Sequence, residues 1–367
     1  MKKFDKIYIG SGPLMMIDAL NNGIKEEDIL IIDRGEKLGG AWRSIDLFGQ
    51  KDLENAVHYL LPNKKGYKFL DKFFDAELEK CTGKFYAIKI FGFKLILPVD
   101  NIFSRLLYYL NGGDQALNLS FINLFKNLFK KNTIKQTKYP RNGIVPIINN
   151  IIKSINKSNV KYNLNENLIK ISVTGNKVFL KSNKDEYLTK QLYISHGFIP
   201  PKDFNIEGEK IIIKLKKHQR PSLHINTIMD KKNFKYINKL DFSQVLFPKG
   251  SNIKYVHQLS RYLYNKSNID QHIIVAALKH DLKKSKKNFE LIAKELEGFG
   301  LIPKQINRNK SDFFWQDILI PQIDTDDLKF ISKKSNNLIS YFYTECFNTS
   351  LGLYCERWNF PKNFFKL

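Results

Sequence analysis

The stretch that decides the fold lies at the start of the chain, where residues 4–33 read FDKIYIGSGPLMMIDALNNGIKEEDILIID. Its first apolar run predicts a short buried strand that ends at Gly10-Ser11-Gly12. The next ten residues carry apolar side chains at helical spacing, and Pro13 suits the first turn because its missing N–H is not needed there. The run 28–33 is apolar between Asp28 and Asp33, as in parallel strands covered on both faces. We therefore predict a β-α-β unit.

The turn of this unit has the residues that a dinucleotide needs. Gly10 permits a tight turn, and Gly12, followed by Pro13 and Leu14, lets a pyrophosphate approach the main chain at the positive end of a helix. Asp33 ends the second strand, where it can accept a hydrogen bond from a ribose hydroxyl. Met15 stands where the usual fingerprint has a third glycine. The alternative is a plain structural turn in an α/β protein.

The following segment resembles FAD-dependent enzymes of the amine-oxidase and UDP-galactopyranose-mutase type. In that family an acid is followed by a short loop, a glycine pair, and an arginine, asparagine or aromatic residue. The resemblance implies that these residues lie near the flavin diphosphate and ribityl chain. The matching residues are Asp33, Arg34, Gly39, Gly40, Ala41, Trp42 and Arg43.

Segments farther along the chain resemble the same family. They are a flavin-facing stretch at 54–58, a hairpin ending in Leu-Pro at 93–98, a Tyr-Pro-x-Gly segment at 139–143 and a returning strand at 193–197. The resemblance also requires a closing strand and a helix that faces the flavin. Tyr343-Thr344-Glu345 and Asn348-Thr349-Ser350-Leu351-Gly352 occupy that place. It implies that Glu345, Ser350 and Leu351 contact the cofactor, with Asn348 or Thr349 as the helix N-cap, although the family's glycine before the acid is missing. The alternative is a strand and helix that only complete the sheet.

The pattern along the chain predicts an α/β protein with a Rossmann-like FAD-binding domain and a second, mixed-sheet substrate domain built from insertions. We assign 1–50, 136–200 and 331–367 to the first domain, and 51–135 and 201–330 to the second. Hairpins are expected at Gly92 and at Gly175-Asn176, and a loop followed by an amphipathic helix at 139–159. Helices are expected at 102–131 (broken at Gly112-Gly113), 286–300 and 348–358, and strands at 210–216 and 338–347. The stretch 121–132 predicts either a helical lid or a peripheral membrane contact.

His58, Arg220 and Arg261 are the candidate catalytic residues. His58 is expected to contact flavin or substrate, or to be a hydrogen-bonded core histidine. Arg220 and Arg261, with Arg141 as a further candidate, are expected to hold an anionic substrate or to be surface charges. Arginines are the better candidates because the chain has so few of them, and the planar guanidinium binds anions bidentately. No spacing typical of metal ligands is present.

The composition excludes several classes of protein. The 367 residues carry a net charge of +24, but only eight of the 60 basic residues are arginine, which argues against a dedicated nucleic-acid surface. The sequence contains no run of about 18 apolar residues, so we predict no transmembrane helix. Three cysteines without paired spacing fit a reducing cytosol, so we expect a cytoplasmic protein.

The sequence therefore predicts an FAD-dependent oxidoreductase that moves hydride from a small organic substrate to the flavin. Two alternatives stay open. One is a flavin-dependent sugar-nucleotide isomerase resembling UDP-galactopyranose mutase. The other is a binding protein without FAD on the same fold, resembling the Rab GDP-dissociation inhibitors, which also lack the third glycine.

Overall fold

The computed structural model describes residues 1–25, 27–55, 58–81, 83–113, 137–195, 197–213, 216–228, 242–262, 271–279, 282–302, 311–323, 325–341, 347–361 and 364–365. In these ranges the helices are α1 (Pro13–Gly23), α2 (Lys64–Phe74), α3 (Ile102–Leu110), α4 (Val145–Lys157), α5 (Lys286–Gly298), α6 (Thr325–Lys334) and α7 (Phe347–Tyr354). The strands are β1 (Lys2–Ile9), β2 (Ile29–Ile32), β3 (Ser44–Leu47), β4 (Gln50–Glu54), β5 (Leu78–Lys80), β6 (Lys84–Ile90), β7 (Phe93–Pro98), β8 (Lys138–Pro140), β9 (Lys161–Asn163), β10 (Leu168–Thr174), β11 (Lys177–Ser182), β12 (Glu186–Ser195), β13 (Asp203–Ile206), β14 (Glu209–Lys210), β15 (Lys216–Ile228), β16 (Gln244–Leu246), β17 (Ile253–Gln258), β18 (Gln271–Leu278), β19 (Ser311–Gln322) and β20 (Leu338–Tyr341).

The first large sheet has the order β14-β13-β10-β11-β12-β1-β2-β9, and β20 pairs with the end of β12. Strands β9, β2, β1, β12 and β20 run parallel. Helices α1 and α4 pack on one face through a core that includes Leu14, Met15 and Ile148. Helix α6 packs on the other face, where Leu328 and Ile331 meet Leu192. Because both faces are covered, β2 is apolar throughout and the C-terminal halves of β1 and β12 are mostly apolar.

The carboxyl ends of the central strands form the edge where the functional residues gather. β1 lies between β2 and β12. Gly10 follows the end of β1, and Asp33 follows the end of β2. In open α/β sheets, ligands bind in the crevice outside this edge, where neighbouring connections leave in opposite directions.

The second large sheet has the order β19-β15-β18-β17-β16-β6-β7. Its pairs are antiparallel except for β16 with β6. One face packs against α5 through a core that includes Leu223, Ile274 and Leu296. The β3–β4 hairpin and the residues after it contribute Leu53 and Tyr59 to a smaller cluster with Ile273 and Val275.

The fold class predicted from the sequence is confirmed, and so are the N-terminal β-α-β unit and the turns at Gly92 and Gly175. The break predicted at Gly112-Gly113 follows the end of α3 at Leu110, and the rest of the helix predicted at 102–131 lies outside the described ranges from residue 114 on. Two strand predictions are corrected. Of the strand expected at 210–216, Lys210 belongs to β14 and Lys216 to β15, residues 211–213 lie in neither, and 214–215 lie outside the described ranges. The strand expected at 338–347 is described up to Tyr341, residues 342–346 lie outside the described ranges, and Phe347 already belongs to α7.

The sequence pattern did not indicate the β3–β4 hairpin or helix α2. Helix α2 begins after Asn63, whose side chain accepts a hydrogen bond from the Gly66 N–H at 2.8 Å. Its buried face is aromatic, with Phe69, Phe73 and Phe74 packed against the C-terminal segment. Lysines fill the other positions and hide the helical period from a simple apolar count.

The domain boundaries stay a prediction. The strands of the first sheet include β13 and β14, which pair with β10 although they follow the predicted boundary at residue 200. We therefore propose that this boundary falls after residue 213. Within the described ranges, none of the helices is long and apolar enough to cross a bilayer.

Candidate functional site

The turn after β1 is built around backbone that only glycine adopts without strain. Gly10 has φ +97°, and its N–H donates to the Ile32 carbonyl at 2.8 Å, which fixes the turn against β2. Gly40 has φ +58°, and a Cβ placed on it would lie 3.2 Å from the Gly12 Cα. The glycine pair at 39–40 therefore lies directly against the start of α1, as the sequence predicted for a phosphate-binding turn.

The Asp33 carboxylate stabilises this turn by accepting hydrogen bonds from its residues. Its Oδ2 accepts hydrogen bonds from the Ser11 N–H and hydroxyl, both at 2.6 Å, and its Oδ1 accepts one from the Gly35 N–H at 2.6 Å. The Gly39 N–H in turn donates to the Ser11 carbonyl at 3.2 Å. A carboxylate has about four acceptor positions. Asp33 therefore keeps one for a ligand hydroxyl while it orders the turn.

Helix α1 starts immediately after Gly12, so its first N–H groups point toward the crevice and have no partners within the helix. Leu14 and Met15 are fully buried in the core. Met15 fills the helix–sheet contact with a side chain where the family fingerprint has glycine. Because the Leu14 side chain lies in the core, Leu14 can contribute to cofactor binding only through its main chain.

The residues after β2 line the outer side of the turn. Arg34 and Ala41 are exposed, whereas Trp42 and Arg43 are half-buried. A Cβ placed on Gly35 would lie 3.1 Å from Asp33 Oδ1 and 3.5 Å from Arg43 Nη1. Among the residues that follow β2, Arg43 therefore places a positive charge next to the turn that Asp33 orders.

His58 stacks on Trp42, with ring centroids 4.3 Å apart and an interplanar angle of 11°. Burial lowers the pKa of His58 to about 4, although a hydrogen bond to the main chain at Ala41 acts in the opposite direction. The ring is therefore neutral at pH 7. Its Nε2 is inaccessible to solvent and has no hydrogen-bond partner. The structure thus places a buried lone pair beside the glycine turn, in the stretch predicted to face the flavin.

The second sheet presents polar side chains on the face away from α5. On β15, Ser222, His224 and Asn226 alternate with Leu223 and Ile225, which lie in the core on the opposite face. His224 Nε2 lies 3.1 Å from the Asn55 carbonyl oxygen. Since a carbonyl only accepts, Nε2 carries the proton. The residues after β4 therefore lie over this polar face.

A second histidine on the same face is held by the covering segment. His257 of β17 is the register partner of Val275, which pairs with His224 on the other side. The Tyr59 hydroxyl donates to the Ser243 carbonyl at 2.8 Å and lies 3.0 Å from His257 Nδ1. Burial lowers the pKa of His257 to about 3, so this ring is also neutral.

Lys84 lies in the same row of the sheet, opposite Gln244 on β16. Its Nζ donates to the Thr137 hydroxyl at 2.6 Å and lies 4.5 Å from the centroid of the Tyr59 ring. Burial lowers the pKa of Lys84 to about 8. Lys84 is still mostly protonated at pH 7 and makes this end of the face positive.

Glu54 fixes the covering segment to the first sheet's layer of helices. Its carboxyl accepts hydrogen bonds from the Tyr139 hydroxyl and from the Ile144 N–H, the latter at 2.7 Å. Burial raises the pKa of Glu54 to about 7. The predicted Tyr-Pro-x-Gly segment therefore acts here through Tyr139. Arg141 forms ion pairs with Glu77 and Glu79 on the surface, as expected if Arg141 is a surface charge and not a substrate-binding residue.

Several predicted site residues are not tested by the structure. Glu345 lies outside the described residues, as do the side chains of Arg220 and Arg261; the main chain of Arg220 pairs with Ile318 in the second sheet. Ser350 and Leu351 are fully buried in α7, and Leu351 packs with the α1 core. The predicted N-cap at Asn348 or Thr349 is wrong, because α7 begins at Phe347 and includes both residues.

The sequence interpretation gave no role to Ser11, included Glu54 and Asn55 only within the stretch 54–58 expected to face the flavin, and did not single out Ser222 and Asn226. The signal for the last two is visible in the printed sequence, where SLHIN at 222–226 alternates polar and apolar residues. Such alternation predicts a strand with one polar face. No local pattern marks Glu54, since its partners are about 90 residues away. Among the described residues, no group of three or more His, Cys, Asp or Glu side chains is arranged to hold a metal ion.

Comparison with known proteins gives no match to a family model and no match to a curated protein. Solved structures do match. The chain is similar to wild-type putrescine oxidase bound to putrescine, with a TM-score of 0.60 and 12% identity over 93% of each chain. It is also similar to an oxidoreductase from Methanosarcina mazei, with a TM-score of 0.60 and 10% identity over 92% of this chain and 94% of that one.

A Rab GDI from Plasmodium falciparum is similar as well, with a TM-score of 0.53 and 14% identity over 98% of this chain and all of that one. Likenesses at such low identity establish the fold, because sites and activities vary widely within one fold. The chain therefore has the amine-oxidase-like fold that its motifs predicted, in a sequence that has diverged far from these structures.

Proposed function

We propose that this protein binds FAD at the carboxyl edge of the first sheet and is an FAD-dependent oxidoreductase of small organic substrates. The observation that carries the proposal is the turn in which Gly10, Gly12 and Gly40 meet at the start of α1 beside Asp33. A Cβ on Gly40 would collide with this turn. The similarity of the fold to putrescine oxidase supports the redox function.

The residues present fit a dinucleotide. The N–H groups of the first turn of α1 are suited to a diphosphate, since they lack partners within the helix and lie at its positive end. Asp33 is suited to a ribose hydroxyl. Trp42 and Arg43 flank the turn, and Arg43 offers a positive charge to the diphosphate. The buried Nε2 of His58 is an acceptor that needs a donor from a bound group.

FAD, when bound, supplies hydride acceptance at N5. The chain supplies the surroundings. Asn55 and Tyr59 contact His224 and His257 of the second sheet, and His58 stacks on Trp42 beside the turn, so these residues limit the access of water to the polar face of β15. The neutral imidazoles of His58 and His224 hold lone pairs at fixed positions, because the opposite nitrogen of each ring is bonded to main chain. A substrate on this face would be oriented by these acceptors.

The test is FAD binding by the purified protein, measured from the visible absorption of oxidised flavin and by equilibrium titration. Wild-type protein should retain FAD or bind it when it is added. Gly12→Leu should abolish binding, because a side chain there prevents the diphosphate from approaching the main chain at the start of α1. Gly250→Leu is the matched control, since Gly250 is exposed with no atom within 4 Å of its Cβ position. A wild-type protein that stays colourless with added FAD contradicts the proposal.

A binding protein without FAD is the second candidate, and the similarity to a Rab GDI over nearly the whole of both chains favours it. The same titration separates the two candidates. A redox enzyme should bind FAD and lose it with Gly12→Leu. A pure binding protein should have no affinity for FAD, and Gly12→Leu should leave its partner binding unchanged.

A further inference from the structure

The β6–β7 hairpin and the end of α3 expose large apolar side chains to solvent. Phe91, in the two-residue turn of the hairpin, is 97% exposed, and Phe93, the first residue of β7, is 72% exposed. Leu110, the last residue of α3, is 69% exposed. Single exposed apolar residues are common on protein surfaces, whereas a group of them marks a surface that contacts another molecule.

These side chains lie at one end of the unit that the hairpin and α3 form. The Lys89 N–H donates to the Asn111 side-chain oxygen at 3.2 Å, which places the end of α3 beside the hairpin, two residues before its turn. Phe93 pairs with Ile90, which packs in the same apolar cluster as α3, so both lie on the helix side of the hairpin. The name apolar tip is used below for Phe91, Phe93 and Leu110.

Lysines flank the apolar tip. Lys94 is the second residue of β7 and is exposed. The Lys249 N–H donates to the Gly112 carbonyl at 2.9 Å, so this exposed lysine lies just past the end of α3. Lys89 is exposed as well, but its ammonium pairs with the Glu295 carboxylate at 2.8 Å. Lys94 and Lys249 therefore provide the positive charge beside the tip.

The acidic residue of this unit lies far from the tip. Between residues 84 and 113 the chain has one acid, Asp100, which precedes α3. The nine residues of α3 span about 14 Å, so Asp100 lies at the opposite end of the helix from Leu110. The apolar tip thus lies in positive surroundings, in a chain whose net charge is +24.

The combination of phenylalanine and lysine favours a bilayer over a protein partner. The core of a protein–protein interface is depleted in lysine, because an ammonium buried there loses its water. At a bilayer, phenylalanine enters the boundary between headgroups and acyl chains, while the lysine stem extends along it and keeps the ammonium among the phosphates. Anionic lipids also attract basic residues electrostatically.

A second copy of this chain fits the surface less well. β7 is an edge strand of the second sheet, so its outer main-chain groups could pair with a strand of another copy. Lys94 lies within this six-residue strand. A lysine on an edge strand opposes such pairing, because the added strand would have to accommodate its charge.

We propose that the apolar tip, with Lys94 and Lys249, docks this protein on the surface of a bilayer that contains anionic lipids. Phe91 and Phe93 enter the boundary between headgroups and acyl chains, and the two lysines contact lipid phosphates. Leu110 adds apolar contact from the end of α3. This docking is independent of FAD binding.

The experiment is cosedimentation of the purified protein with two kinds of lipid vesicle. One is made of phosphatidylcholine alone, and the other of equal parts of phosphatidylcholine and anionic phosphatidylglycerol. The protein should bind the anionic vesicles at least about tenfold more tightly than the neutral ones, and added salt should weaken this binding. No binding to the anionic vesicles, or equal binding to both kinds, overturns the proposal.

Two matched variants separate docking through the tip from attraction of the whole chain. Phe91→Asn should weaken binding to the anionic vesicles about tenfold, because the burial of one phenylalanine is lost. The fold should be kept, since this turn favours asparagine before glycine. Ile212→Asn removes a side chain that is 82% exposed after β14, and should leave binding unchanged. Equal effects of both variants, or no effect of Phe91→Asn, overturn the placement.

A second pair of variants tests the charge. Lys94→Gln should weaken binding to the anionic vesicles about fivefold, the effect of one lysine near a charged bilayer. Lys177→Gln removes the same charge from the start of β11 in the first sheet, where the lysine is exposed, and should have a much smaller effect. Equal losses would mean that the attraction is spread over the whole surface, and would overturn the proposal.

Light scattering without vesicles tests the other occupant of the surface. The wild-type protein and Phe91→Asn should have the same mass in solution. A wild-type dimer that Phe91→Asn dissociates overturns the proposal, because the tip then contacts a second copy of this chain.

Discussion

At the scale of single residues, the glycines of the crevice differ in what they contribute, and substitution separates conformation from contact. Gly40 and Gly49 both have positive φ, +58° and +70°, but only Gly40 has a neighbour within 4 Å of its Cβ position. Gly49→Ala should cost about 1 kcal/mol of unfolding free energy for the left-handed backbone alone. Gly40→Ala should cost about 2 kcal/mol or more, because the methyl group also displaces Gly12.

Urea unfolding of both variants measures the two costs, and FAD titration should show a loss of affinity for Gly40→Ala alone. Equal costs and equal FAD affinities would mean that the contact between Gly40 and Gly12 does not shape the turn.

Glu54 gives a pH dependence whose sign follows from its environment. Burial raises its pKa from 4.5 to about 7 in the folded protein. A raised folded-state pKa means that the folded state holds the proton more tightly, so this contribution is full below pH 4.5 and is lost as pH rises through 7. The loss amounts to about 3 kcal/mol.

Glu54→Gln keeps an acceptor for the Ile144 N–H and removes the titration. The difference in unfolding free energy between wild type and variant should therefore shift by about 3 kcal/mol in favour of the variant between pH 4.5 and pH 7.5. Urea unfolding at a series of pH values measures it. A constant difference across this range would show that the Glu54 carboxyl is not buried as described.

The residues of the turn were predictable from the sequence, whereas those of the covered face were not. Gly10, Gly12 and Asp33 lie close together along one β-α-β unit, and their chemistry is local. Asn55 and His224 are 169 residues apart and meet only because the segment after β4 crosses the second sheet. Such a pairing is a property of the topology, which no local period reports.

At the scale of elements, the turn of the β6–β7 hairpin has a backbone conformation that its first residue, Phe91, disfavours. Phe91 and Gly92 both have positive φ, +46° and +82°, in a two-residue loop closed by Ile90 and Phe93. This is the type I′ geometry, which favours asparagine before glycine. Phe91 is 97% exposed, so neither conformation nor burial stabilises it there.

Phe91→Asn should therefore raise the unfolding free energy by about 1 kcal/mol. Phe93→Asn is the control, since Phe93 is 72% exposed but lies in the strand, where asparagine is disfavoured. Thermal and urea unfolding measure both variants. A gain in Phe93→Asn equal to that in Phe91→Asn would mean that removing exposed apolar surface, and not the turn, is responsible.

Helices and strands were predicted correctly where the periodic pattern of apolar residues was regular, and were missed where the lysine-rich composition obscured that pattern. Helix α1 is apolar on nearly every side because it is buried between the sheet, α4 and α7, and its glycine and proline boundaries marked it. Helix α2 has an aromatic buried face, but four lysines interrupt its eleven residues. The lysine-rich composition thus hides short amphipathic helices while it leaves the long buried strands visible.

At the scale of the whole molecule, the second sheet should make the protein sensitive to acid. His224, His257 and His272 are buried on two faces of this sheet, and burial lowers their pKa values from 6.5 to about 4, 3 and 4. A depressed folded-state pKa means that the stability is present above pH 6.5 and is lost as pH falls toward 4, since the unfolded chain takes up the protons first. Glu54 acts with the opposite sign between its pKa values, but it is one group against these three histidines and His58, whose pKa burial also lowers to about 4.

The unfolding free energy should therefore fall between pH 6.5 and pH 4.5, with each of the three histidines contributing about 1.4 kcal/mol per pH unit. His272→Gln offers the sharpest check, because His272 lies on the face of the sheet away from His224 and His257 and its loss should reduce the slope by the share of one histidine. FAD binding should be unchanged at neutral pH in this variant. A slope identical to that of wild type would mean that His272 titrates in the folded protein much as it does in the unfolded chain, and that the core of the second sheet admits water.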